Sequence, residues 1–173
     1  MKLKAILPMF AALALAHHVF AEEDDKPVKF DELPAAVAKA IKAAAGDAKL
    51  DSIVLGDEDG TPAYEVVWNA GGHKHEIAVA KDGNVLSLEE TISLKEAPEA
   101  VRAAIEKEAG SREVLEVEKV IAKGKTVYEA EIKEGKGKVT VTFDEAGKVL
   151  EREKAGGEKE EKNEKGEKKD KKD

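Results

Sequence analysis

Apolar residues recur along this chain in two rhythms, one helical and one strand-like. Val37, Ala40, Ile41 and Ala44 stand at i, i+3, i+4 and i+7, the spacing of one helix face. Pro34 precedes them where a first helical turn tolerates a missing N–H, and Gly46 follows where the chain leaves a helix in a left-handed conformation. Val101, Ala104 and Ile105 repeat the pattern between Pro98 and Gly110. Ser93-Leu94-Lys95-Glu96 reads as a capping box, with a break expected just before Pro98 because proline cannot sit inside a helix. Elsewhere the period is two. Strands are expected at 50–55, 61–69, 75–80 and 84–89, and again at 114–121, 126–133, 138–143 and 148–153. Asp59-Gly60, Gly71-Gly72, Asp82-Gly83 and Ala146-Gly147 mark tight turns between them.

The second set of elements is the first set displaced by 64 residues without a gap. Pro34 falls on Pro98, Gly46 on Gly110, Gly60 on Gly124, Tyr64-Glu65 on Tyr128-Glu129, and Gly83 on Gly147. A register held through helical and strand-like stretches alike predicts a duplicated supersecondary unit. The expected fold is α+β: a tandem repeat, each copy one helix packed on a small antiparallel sheet of three to four strands. The first copy is expected over residues 26–90 and the second over residues 91–154.

Parity assigns the faces of that sheet. In Val127-Tyr128-Glu129-Ala130-Glu131-Ile132 the even positions are apolar, and in Val139-Thr140-Val141-Thr142-Phe143 the odd ones are. Tyr64, Val66, Trp68, Ile77 and Val79 then face the helix in the first copy. Glu65, Glu76, Glu129 and Glu131 face away, where they are expected to stay solvated with ordinary carboxylate pKa values.

The two ends fall outside this pattern. Lys2 and Lys4, the apolar run from Ala5 to Ala16, and Val19-Phe20-Ala21 before an acidic stretch read as a signal peptide over residues 1–21, with cleavage after Ala21. The rival reading, an uncleaved anchor, is disfavoured because the apolar run is shorter than the ~20 residues a span needs. Residues 155–173 are almost wholly Lys, Glu, Asp, Gly and Asn, the composition of a disordered tail. That tail is neutral from Glu158 onward, with seven acids against seven lysines. The full chain carries −8, and removing Lys2 and Lys4 leaves −10, so the folded part is acidic. Such a surface disfavours nucleic acid and anionic lipid and suits cations or basic protein surfaces.

Candidate chemistry is sparse. There is no cysteine, hence no disulfide framework and no lipidation site at the cleavage point. No serine has a histidine nearby in sequence, and no cofactor motif is present. His73 and His75, at i and i+2 on a strand, could chelate a divalent metal, or His75 could be a half-buried hairpin residue in place of the core-facing Val139. Asp57-Glu58-Asp59-Gly60 resembles part of a calcium loop, but Leu55 and Val66 stand where the first and last ligands belong. Trp68 is assigned to the core by its parity.

An Ala-Val-x-x-Ala-Ile helix closed by glycine, Gly-x-x-x-Tyr-Glu, a Gly-Gly or Gly-x-Gly turn, and a final Gly-x-Val-Leu resemble the PepSY domain. They also resemble its PepSY-like, β-lactamase-inhibitor-like relatives, which occur in tandem in secreted bacterial proteins. The resemblance spans about 28–90 and 92–154. It implies a non-catalytic, secreted or periplasmic module that binds a protein through its sheet face, a peptidase or another envelope enzyme being the implied partner. On this reading Glu65, Val67, Glu76, Glu129 and Glu131 are the expected protein-binding residues. One alternative is an envelope cation-binding protein using the acidic surface and His73/His75. Another is a stress or structural protein of the envelope.

Overall fold

The computed structural model describes residues 26–58 and 60–154, together with the backbone of a short strand at 158–159. The expected signal peptide, Asp59 of the acidic turn, and nearly all of the expected tail lie outside the described residues. Among the described residues the elements are β1 (Lys26–Pro27), a 3₁₀ turn (Phe30–Glu32), α1 (Ala35–Ala45), β2 (Leu50–Glu58), β3 (Thr61–Ala70), β4 (His73–Ala80) and β5 (Val85–Thr91). There follow α2 (Glu99–Ala109), β6 (Val114–Ala122), β7 (Lys125–Glu134), β8 (Gly137–Asp144), β9 (Val149–Lys154) and β10 (Glu158–Lys159).

The strands form a single antiparallel sheet in strict chain order from β1 to β10. This corrects the expected fold. The chain is not a pair of units, each a helix on its own three- or four-stranded sheet, because β5 pairs with β6 from Ser87↔Ala122 to Thr91↔Glu118 and fuses everything into one sheet. The physical reason is the unpaired edge: two separate small sheets would each leave a row of backbone N–H and C=O groups without partners at that boundary.

Both helices lie on one face. Each begins immediately after a proline, Pro34 or Pro98, which occupies the N-cap rather than the first turn itself. Each ends at a glycine with φ near +59°, Gly46 or Gly110, whose N–H donates to the carbonyl of Lys42 or Glu106. The Ser93 N–H donates to the Glu96 carboxylate and the Glu96 N–H donates to the Ser93 carbonyl oxygen, but these bonds close a turn ahead of Pro98 and not a helix. Val37 and Ile41 of α1 are fully buried with Ile53, Tyr64, Val66, Trp68, Ile77 and Val79. Val101, Ile105 and Ala109 of α2 lie among Val117, Tyr128, Ala130, Ile132, Val141 and Phe143. Each such aliphatic side chain contributes about 1.5–3 kcal/mol through burial. The two cores remain distinct clusters although the sheet beneath them is continuous.

Irregularities in register account for two of the four exposed large apolar residues among the described residues. The pairing shifts between Val114 and Glu116, and between Thr142 and Phe143. Leu115 and Leu150 are the extra residues at these bulges and stand about half exposed. Two glycines tie the hairpins to the helices. A Cβ on Gly147, in the β8–β9 turn, would stand 2.4 Å from the carbonyl oxygen of Ala100. A Cβ on Gly83 in the β4–β5 turn would meet Ala36 at 2.8 Å. Both also have positive φ, 78° and 90°.

Gly60→Ala therefore tests backbone conformation alone, since open space surrounds its Cβ position despite a φ of +79°. It should cost about 1–2 kcal/mol. Gly147→Ala adds the collision with α2 and should cost roughly 3 kcal/mol or more, lowering the thermal midpoint by about 10 °C. Equal losses by thermal unfolding would refute the close helix–hairpin contact.

Candidate functional site

The face opposite the helices is the candidate site. Neither α1 nor α2 packs on it, and its residues follow directly from the register. Ser52, Val67, Glu76, Glu89, Val120 and Val127 form one row across six consecutive strands. Thr91, Glu118, Glu129, Thr142 and Glu151 form the neighbouring row. Glu116, Glu131, Thr140 and Glu153 form the next.

This arrangement sets glutamates directly against glutamates. Glu76 opposes Glu89, Glu118 opposes Glu129, and Glu116 opposes Glu131. Like charges at such positions destabilise a sheet, because the side chains sit only about 4.5–5.5 Å apart at Cβ. Partial relief comes from within the face. Lys74 Nζ lies 3.8 Å from Glu118, and Lys138 pairs with Glu131. The Thr91 hydroxyl donates to Glu116 and Glu118, and the Thr142 hydroxyl donates to Glu129.

Protonation supplies the rest of the relief. Glu129 is only 2% exposed, and burial pushes its carboxyl up to about 9, with the charges of Glu89, Glu118 and Glu153 acting in the same direction. Burial likewise raises Glu89 to about 8, reinforced by Glu76, Glu118 and Glu58 and opposed by Lys74. Glu118 is raised for the same reasons, burial first and then Glu116. The expectation of solvated glutamates with ordinary pKa values is thus overturned for Glu129. Glu65, at 6% exposure, is buried as well. Their outward parity is as expected.

The remaining expected site residues are distributed as follows. Val67, Glu76 and Glu131 lie half-buried on the helix-free face with Glu65 and Glu129. His73 and His75 point to the helix side, through their pairing with Ala70 and Trp68. The His75 ring stacks on Trp68 at 5.3 Å between centroids, and Trp68 is a core residue at 3% exposure. His73 Nδ1 is 2.7 Å from the Thr91 carbonyl oxygen, and its Nε2 is 3.5 Å from Glu96. Among the described residues no group of three His, Cys, Asp or Glu side chains is arranged to hold a metal ion. Sequence reasoning passed over Glu89, Glu116 and Glu118. The alternation Glu116-Val117-Glu118 carried the signal, but its meaning depends on the β5–β6 pairing.

A family model, described as beta-lactamase-inhibitor-like and PepSY-like, matches residues 62–151. The chain belongs to this family. The PepSY-like chain also resembles solved structures. A periplasmic protein from Bacteroides eggerthii superposes with a TM-score of 0.61 at 18% identity, over 70% of this chain and 88% of its own. A BLIP-like protein from Bacteroides fragilis gives 0.58 at 22% identity, over 70% and 86%. A DUF2874 family protein from Bacteroides uniformis gives 0.59 at 17% identity, over 70% and 88%. These identities speak for a shared fold. No curated protein matches the chain. No helix among the described residues is long and apolar enough to cross a membrane.

The raised carboxyls give the fold a defined pH response. Glu89 and Glu129 keep their protons in the native state up to about 8 and 9, against an ordinary value of 4.5. The folded chain therefore binds more protons than the unfolded one between those limits. Their contribution to stability is complete below about 4.5 and is lost as pH rises through 8 to 9. The thermal midpoint should fall between about pH 5 and pH 9, and Glu89→Gln with Glu129→Gln should flatten that fall. An unchanged slope in the double variant would contradict the protonated pair.

Proposed function

We propose that this PepSY-like protein is a non-catalytic periplasmic module that docks a partner protein on the helix-free face of its sheet. The observation that supports this best is the division of labour between the two faces. Both helices and the two larger apolar clusters occupy one side; no described helix packs on the other side, which spans both halves of the chain and holds a small buried cluster of Val120, Ala122 and Val127. A face of this kind presents side chains in fixed rows and needs no rearrangement to receive a rigid partner. The likeness to a protein described as BLIP-like favours protein binding over other uses of the face. The basic, apolar and small-residue pattern of residues 1–21 supports export to the periplasm, and the partner class is an envelope peptidase or another envelope enzyme. We read the chain itself as non-catalytic because the family model it matches is described as inhibitor-like.

A photo-crosslinking residue placed at Val67, on the helix-free face, should capture an envelope protein. The same residue at Glu106, exposed on α2, should not. Capture from Glu106 and none from Val67 would move the docking surface to the helix side.

A further inference from the structure

The strands make one sheet, yet none of the apolar clusters among the described residues crosses its middle. Every member of the cluster under α1, partly buried ones included, lies between Val28 and Leu88. Every member of the cluster under α2 lies between Ile92 and Val149. The small cluster of Val120, Ala122 and Val127 belongs to β6 and β7 alone. On the helix side of the β5–β6 junction, Leu88 stands against Ile121 and Glu90 against Lys119. Leu88 packs against the α1 cluster, while Ile121 is 37% exposed. The described side-chain ties across the junction are polar. The Thr91 hydroxyl donates to Glu116 and Glu118, Lys74 Nζ lies 3.8 Å from Glu118, and His73 Nε2 lies 3.5 Å from Glu96, ahead of α2.

We infer that the β5–β6 pairing is a joint of the continuous sheet, one that opens between Ser87–Thr91 and Glu118–Ala122 while the packing under both helices stays intact. The usual pattern is one contiguous apolar core per domain, which ties the opening of any strand pair to the loss of the whole. Here the cost of opening differs from pair to pair. Parting β3 from β4 separates Tyr64 from Val79 and Val66 from Ile77, all in the α1 cluster. Parting β7 from β8 separates Tyr128 from Phe143 and Ala130 from Val141, all in the α2 cluster. Parting β5 from β6 breaks backbone hydrogen bonds and the polar ties, and water replaces both at small net cost. Apolar burial is the dominant favourable term in folding, so the sheet should yield first where least of it is shared. Such openings occur in native proteins as cooperative units below the level of global unfolding. Opening would divide the helix-free face between Glu89 and Val120, which the pairing holds side by side.

Native-state hydrogen exchange of the full chain in dilute denaturant tests this. Amides that bond across β5–β6 should exchange about tenfold or more faster than those that bond across β3–β4 or β7–β8. Two mild core substitutions then separate a joint from a single cooperative block. Ile105→Val, in the α2 cluster, should speed exchange across β7–β8 by about two- to tenfold and leave the β3–β4 and β5–β6 amides at their parent rates. Ile41→Val, in the α1 cluster, should do the same to β3–β4 and spare the other two sets. Each variant loses only one buried methylene and keeps its fold, which circular dichroism verifies. Amides across β5–β6 exchanging as slowly as those of both cores would overturn the inference. So would either substitution speeding exchange equally on both sides of the junction, since the sheet would then open only as a whole.

Discussion

The contact on which the rest of the structure depends is the antiparallel pairing of β5 with β6, five residues on each side from Ser87↔Ala122 to Thr91↔Glu118. Without it β5 and β6 would be bare sheet edges, and each half would carry its small sheet and helix alone. With it the backbone becomes continuous while the apolar cores do not: Val37 and Ile41 pack in one cluster, Val101 and Ile105 in another. The two halves therefore share hydrogen bonds and a surface more than they share a core. The helix-free face is the part of the molecule created by that sharing.

Each face carries a different task. The helix side holds the aromatic residues Tyr64, Trp68, Tyr128 and Phe143 and the helix-to-hairpin contacts at Gly83 and Gly147, where shape is critical. The other side holds charges opposed in pairs, an arrangement that a purely structural sheet would avoid. On the proposed docking face such a locally unfavourable arrangement is tolerated because the remainder of the fold is sufficiently stable. Here the tolerance has an identifiable source in protons retained by Glu89 and Glu129.

Much of the local structure was legible in the sequence because it follows short-range rules. The proline-to-glycine bounds of both helices, the alternation in β7 and β8, and the core placement of Trp68 each depend on neighbours within a few residues. Parity correctly sent Glu65 and Glu129 to the face away from the helices. What it could not supply was their environment, since burial on a sheet depends on which strands lie to either side. The union of the halves was hidden for the same reason. Nothing in Ser87-Leu88-Glu89-Glu90-Thr91 identifies its partner as Glu118 to Ala122, because backbone pairing is nearly indifferent to side-chain identity. The acidic centre, which depends on that pairing, was consequently seen only as separate glutamates.

An open sheet of this width has two ends as well as two faces, and its ends are furnished differently from its middle. At one end, among the described residues, β1 contributes Lys26 and Pro27, the latter lacking an N–H to offer a newcomer. At the other, β9 runs Glu151-Arg152-Glu153-Lys154, alternating charge along the outer strand before the two residues of β10. A second copy laying its strand against either border would meet a missing donor or a row of ions to be dehydrated. In a chain with no disulfide to hold it closed, these borders make edge-to-edge stacking of copies unfavourable.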